Sequence, residues 1–174
     1  AQVGVVMTVF FVVSGLGQAV AGVWVDRFGA HRVLCAGVGT LAVSGLLVSM
    51  SPSFGVLLLA AAVAGIGNSV FHPADFALLA KRVSPARMGH AFSTHGISGN
   101  IGWAIAPVLM TGIASTAGWR AAGLGAALFG AVALALLVWT VGVEPRFALD
   151  RGEQTFDPRE PARTASSQTD TAGC

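Results

Sequence analysis

Three ionisable side chains interrupt long apolar runs in this sequence: His72 and Asp75 between Phe54 and Ala80, and His95 between Ala91 and Ala114. His72 and Asp75 are three residues apart, so on a helix they share one face. At about 1.5 Å per residue, Asp75 lies roughly 9 Å and His72 roughly 13 Å back from Lys81, and His95 lies about 9 Å beyond Gly89. The three can therefore meet at one level between two neighbouring helices. An ionised carboxylate in hydrocarbon costs on the order of 2.5 to 3.5 kcal/mol on insertion scales, and residues of this kind mark ion or substrate paths. Imidazole titrates near neutral pH, so the chemistry open to the group is proton binding and release. The competing role is a structural hydrogen bond that ties two helices together near the interface.

Other polar residues lie on the same spans. Asn68, Ser69, Ser98 and Asn100 can bind a substrate or join helices by hydrogen bonds, helix joining being expected of Ser69 and Asn100, and Gln18 in the first run has the same two options. Gly96-Ile97-Ser98-Gly99 spells G-x-S-G, the nucleophile motif of rhomboid-type intramembrane proteases. That reaction needs a later His to deprotonate the serine, and no His follows His95. Cys35 and Cys174 form no CxxC pair and show no His at ligand spacing, so no metal and no cofactor is expected.

The charged residues cluster between the runs. The first cluster reads Gly22-Val-Trp-Val-Asp26-Arg27-Phe-Gly29-Ala-His31-Arg32. Its chemistry is that of a latch. Gly22 admits another helix, Gly29 permits a tight turn, and Asp26 offers a carboxylate to a helix N-terminus or a basic side chain. Arg27 and Arg32 hold the turn at the membrane surface. The plainer role is a charged loop that only fixes topology.

The elements that position these residues follow from composition. Apolar residues make up 54% of the 174 and charged residues 10%, with mean hydropathy +0.73. An ordinary soluble domain is about 25% charged. Too few polar residues are present to cover a water-soluble fold, which excludes a soluble enzyme, a nucleic-acid binder and a disordered chain. The net charge of +2 and pI near 9.0 carry no message about DNA. Five apolar runs, about 3–25, 33–50, 54–80, 91–114 and 121–143, meet or approach the roughly 20 residues that a helix needs to cross a bilayer. Helix is the conformation available to a single span, because hydrocarbon offers no partner to open backbone groups. The expected fold is an all-α polytopic membrane bundle over 1–146, followed by a polar, disordered cytoplasmic stretch over 147–174.

Small residues at spacing four, Ala36/Thr40/Ser44 and Gly123/Ala127/Ala131/Ala135, are expected to let helices approach closely. Nine of the ten basic residues fall on one set of flanks and Arg120 alone on the other, which places the Asp26, Lys81 and Glu144 ends in the cytoplasm. Five crossings then put residue 1 outside and the C-terminus inside.

The Gly22–Arg32 turn resembles the signature between the second and third helices of the major facilitator superfamily. The resemblance continues through Gly65-Ile-Gly67-Asn68 and Phe71-His72-Pro73-Ala74, similar to helix four, and Ser84-Pro85-Ala86-Arg87-Met-Gly89, similar to the basic loop before helix five. Gly102-Trp-Ala-Ile-Ala106-Pro107 resembles the G-x-x-x-G-P motif of that family's exporters, with Ala106 in place of Gly, and Gly118-Trp119-Arg120 resembles the start of helix six. The FHPA stretch most resembles fosmidomycin-resistance-type efflux proteins.

The resemblance implies helices two to six of a twelve-helix transporter, with helix one and the second half as absent partners. It also implies alternating access for a small-molecule substrate in a bacterial inner membrane, and export driven by proton uptake. The candidate path residues are then His72, Asp75, His95, Gln18 and Asn68. The helix-four arginine of many proton-coupled exporters corresponds to Ala61 here, so coupling would not use it. A non-transporting truncated module is the rival expectation.

Overall fold

The computed structural model describes residues 2–143, and within them the chain is helix joined by short turns. The polar stretch expected over 147–174 lies outside the described residues. Helix α1 spans Gln2–Phe28, α2 Ala30–Ser49, α3 Phe54–Ser69, α4 Phe71–Arg82, α5 Met88–Ala117 and α6 Trp119–Val143, with a single 3₁₀ turn at Pro85–Arg87 before α5. Five stretches are long and apolar enough to cross a membrane, α3 and α4 together forming one of them.

The third run differs from one uninterrupted helix. It breaks at Val70, between α3 and α4. Pro73 supplies the reason. It has no N–H to give the Ser69 carbonyl and its ring crowds that same group. The Ala74 amide does reach the Val70 carbonyl at 3.0 Å, so helical bonding resumes at once. The latch sequence also differs from a loop. Asp26 and Arg27 form the last turn of α1, and Gly29 alone separates α1 from α2, at φ 86°. That angle suits glycine and strains any residue with a side chain.

The interior is built of small residues. The buried cluster contains Ala21, Val25, Ala30, Val33, Leu34, Val70 and Ala74, drawn from α1, α2 and the α3–α4 break. Backbones come together where glycine leaves room. A Cβ on Gly65 would lie 2.7 Å from the Phe10 carbonyl oxygen, and one on Gly67 would lie 2.8 Å from that of Gly37. These crossings join α3 to α1 and to α2. The small ladder of α6 does the same, since a Cβ on Gly45 of α2 would lie 2.7 Å from the Ala127 amide nitrogen. Small residues act here as helix contacts, which lipid tails cannot replace by hydrophobic pressure. Ser44 adds a buried hydrogen bond from its hydroxyl to the Ala60 carbonyl, 2.9 Å.

Large apolar side chains point outward. Leu16 is 70% exposed, Phe129 73% and Trp139 68%. Continuous apolar exposure on this scale is untenable in water and ordinary against lipid.

At the end of the bundle remote from Asp26, Arg120 donates to the Ser51 carbonyl at 3.1 Å and stacks over the Trp119 ring at 4.4 Å. The hydrogen bond fastens the α5–α6 turn to the α2–α3 turn.

Candidate functional site

The break at Val70 and the long α5 together shape a cavity of about 660 Å³. Asn68 of α3 and Phe71, His72 and Asp75 of α4 line one side, and Leu41 of α2 closes part of the floor. His95, Gly99, Gly102, Trp103, Ala106, Pro107 and Met110 of α5 line the other. Glycines at 99 and 102 open space between the helices, and Trp103 supplies a broad apolar face beside them.

Asp75 and His95 meet across this space. His95 Nε2 lies 3.4 Å from Asp75 Oδ2, with the side chains 39% and 20% exposed. Asp75 is largely withdrawn from the surroundings, so a carboxylate there needs a partner, and the His95 imidazole is in reach. Beside the pair, Phe76, next to Asp75 in sequence, meets Phe92, one turn before His95, edge-on at 5.3 Å, which fixes the spacing of α4 and α5. His72 shares the cavity with Asp75, and its ring lies 5.9 Å from that of Phe76. Sequence spacing thus brings all three ionisable residues to one cavity.

The polar residues sort themselves by contact. Asn68 lines the cavity and its amide donates to the Ser14 hydroxyl at 2.8 Å, bridging α3 to α1. Gln18 donates to the same hydroxyl at 3.5 Å and does not line the cavity. Ser14, buried at 2% exposure, is therefore the acceptor that organises both amides. Sequence reasoning missed it, and its one available signal was a hydroxyl four residues before Gln18 in an uncharged run. The Ser69 hydroxyl donates to the Ile66 carbonyl of its own helix, so it does not join helices as its position suggested.

Ser98 donates to the His95 carbonyl at 2.8 Å, a bond within α5. The hydroxyl therefore faces backbone and not an imidazole base, and the protease reading of Gly96–Gly99 gains no support. Cys35 corrects a sequence expectation. It lies one helical turn from His31, with Sγ 3.3 Å from Nε2, so a His does sit at ligand spacing. No third His, Cys, Asp or Glu joins them among the described residues.

The latch residues stand on the exposed end of the bundle. Asp26, Arg27, Gly29 and Arg32 are exposed, and no described residue forms an ion pair with Asp26. Among the described residues outside its own helix, nothing approaches within 4 Å of a Cβ placed on Gly22, so the helix it was expected to admit is not one of α2–α6. Gly102, by the same measure, faces open space, and with Ala106 and Pro107 it borders the large cavity.

These features define a multi-pass helical membrane protein with a largely apolar pocket, bearing a few ionisable groups, held among its spans. The chain matches the Major Facilitator Superfamily over residues 1–168, and it belongs to that family. It is 38% identical over 109 residues to the fosmidomycin resistance protein of Escherichia coli, an alignment covering 62% of this chain and 26% of that protein. It is 31% identical over 100 residues to a multidrug resistance protein B homolog of Mycobacterium tuberculosis, covering 58% and 18%. It is 28% identical over 116 residues to a major facilitator superfamily multidrug transporter of Aspergillus fumigatus, covering 66% and 22%. The chain thus spans about a quarter or less of the length of these relatives.

Proposed function

We propose that this segment belongs to a proton-coupled exporter of small molecules in a bacterial inner membrane, working by alternating access together with a further helix and a second half. The observation that carries the reading is the Asp75–His95 pair, 3.4 Å apart at the wall of a 660 Å³ cavity. A proton bound there neutralises the carboxylate and weakens its hold on the imidazole, which couples occupancy of the site to the spacing of α4 and α5. The cavity has the size of a drug-like ligand site, a broad apolar wall and few polar groups. Fosmidomycin is the first substrate to test, because the name of one relative points to it.

The basic flanks, Arg27, Arg32, Lys81, Arg82 and Arg87, support a cytoplasmic location for that end, with residue 1 outside. Asp26 supports a latch. A carboxylate in the last turn of a helix faces the negative end of the helix dipole, an unfavourable place unless a partner compensates. The partner we propose lies in the second half of the transporter.

The test is Asp75→Asn in the full-length transporter, reconstituted in vesicles with an imposed pH gradient. Gradient-driven fosmidomycin transport should be abolished while exchange at equal pH continues. Undiminished gradient-driven transport would remove Asp75 from the coupling mechanism.

A further inference from the structure

A second cavity, about 510 Å³, lies between the end of α4 and the first turns of α5. Its α4 wall is apolar. Its α5 wall is a stripe of polar side chains at 87, 90, 94 and 98, steps of three and four residues that place Arg87, His90, Thr94 and Ser98 on one helix face. The stripe starts at the 3₁₀ turn on the Arg-rich end of the bundle and runs inward. His95 lines this cavity and the large one, and it is the one residue common to both linings. The imidazole that touches Asp75 therefore stands as the partition between two spaces.

We infer that the second cavity is a proton route from the Asp75–His95 pair to the Arg87 face, separate from the substrate cavity, with His90 as its relay. The inference rests on the proton-coupled reading above. A substrate in the large cavity would obstruct water there, so a proton leaving while substrate is bound needs another way out. His95 provides it because an imidazole can accept at one nitrogen and donate from the other. The proton on the Asp75 carboxyl passes to His95 Nε2, leaving a carboxylate and an imidazolium. The imidazolium gives up its Nδ1 proton to water in the second cavity, and His90 hands it on to bulk water. One proton has moved, and His95 is neutral again in its other tautomer; exchange of that ring proton from Nε2 to Nδ1 through water restores the first tautomer with no net transfer.

The charged and titratable groups around His95 fall on two sides of it. Asp75 and His72 face it from α4 on the substrate side. Arg87 and His90 lie on the exit side, with Lys81 and Arg82 at the end of α4.

Thr94→Cys, in full-length protein carrying Cys35→Ser and Cys174→Ser, tests the route without relying on transport. A membrane-impermeant cationic thiosulfonate should label it at least tenfold faster from the Arg87 face than from the opposite face. Failure to label, or equal rates from both faces, overturns the proposal. His90→Gln should slow gradient-driven fosmidomycin transport about tenfold and leave exchange at equal pH unchanged. If Asp75→Asn abolishes gradient-driven transport and His90→Gln leaves it intact, the exit route is wrong and proton coupling stands. If transport survives Asp75→Asn, both fail.

Discussion

Gly65→Ala should separate α1 from α3, and the structure gives the size of the effect. The new Cβ would sit 2.7 Å from the Phe10 carbonyl oxygen, 3.0 Å from Val13 Cβ and 3.1 Å from the Ser14 amide nitrogen. Two of these neighbours are backbone, so no side-chain rotation relieves the contact. Restoring ordinary van der Waals separation requires the helices to part by about 0.5 to 1 Å, which forfeits a quarter to a half of the dispersion well at each neighbouring contact. Overpacking of this kind costs about 1 to 3 kcal/mol.

The Asn68–Ser14 hydrogen bond lies one turn away at 2.8 Å and would stretch past useful length. Interhelical bonds of this type contribute about 0.6 kcal/mol, and at most about 2. The expected loss is about 2 to 4 kcal/mol. Gly102→Ala is the control, because its Cβ meets nothing within 4 Å among the described residues. It should change stability by no more than about 0.5 kcal/mol. The measurement is unfolding of the 174-residue chain in mixed micelles of increasing SDS fraction, followed by circular dichroism and tryptophan fluorescence. Equal midpoints for Gly65→Ala and the parent, or an equal loss for Gly102→Ala, would refute the reasoning that glycine sets the α1–α3 distance.

Three further outcomes are expected. Arg120→Ala removes the bond to the Ser51 carbonyl and the stacking on Trp119, and should destabilise the same chain by about 0.5 to 1.5 kcal/mol in the SDS titration, less than Gly65→Ala. On the proposed latch role, Asp26→Ala in the full-length transporter should slow turnover while leaving substrate preference unchanged, and a normal maximal rate in a vesicle flux assay would count against the latch. Single cysteines placed at Pro52 and Pro85 should react with impermeant reagent from opposite sides of the membrane. Reaction from one side alone would dissolve the proposed orientation.

Much of the architecture was legible because a bilayer imposes a simple rule. Uncharged runs near twenty residues must be helices when they lie in lipid, and charge clusters must lie between them. The ends were less legible. The helices run two or three residues past several of the expected limits, because Asp26 and Arg27 continue α1 to Phe28 with helical hydrogen bonds that ignore side-chain polarity. The helical break at Val70 follows from Pro73, whose steric effect acts on the preceding turn and not at its own position. Within the site, the count from Lys81 and Gly89 brought Asp75 and His95 to one depth. Depth alone leaves rotation about the helix axis open, and that rotation decides contact.

By itself the sequence determined the environment and the conformation: too few charges for water, long enough apolar runs for a membrane, and at Gly29 a residue that permits a tight turn where two spans meet. These are local properties, set by composition and by the backbone each residue permits. Tertiary structure alone decided which polar groups meet. It gave Asn68 and Gln18 a common acceptor in Ser14, turned Ser69 and Ser98 onto their own helices, and set His95 between two cavities. The physical reason is that a helix presents every residue at some angle, and the neighbour found at that angle depends on how closely the glycines let other helices approach.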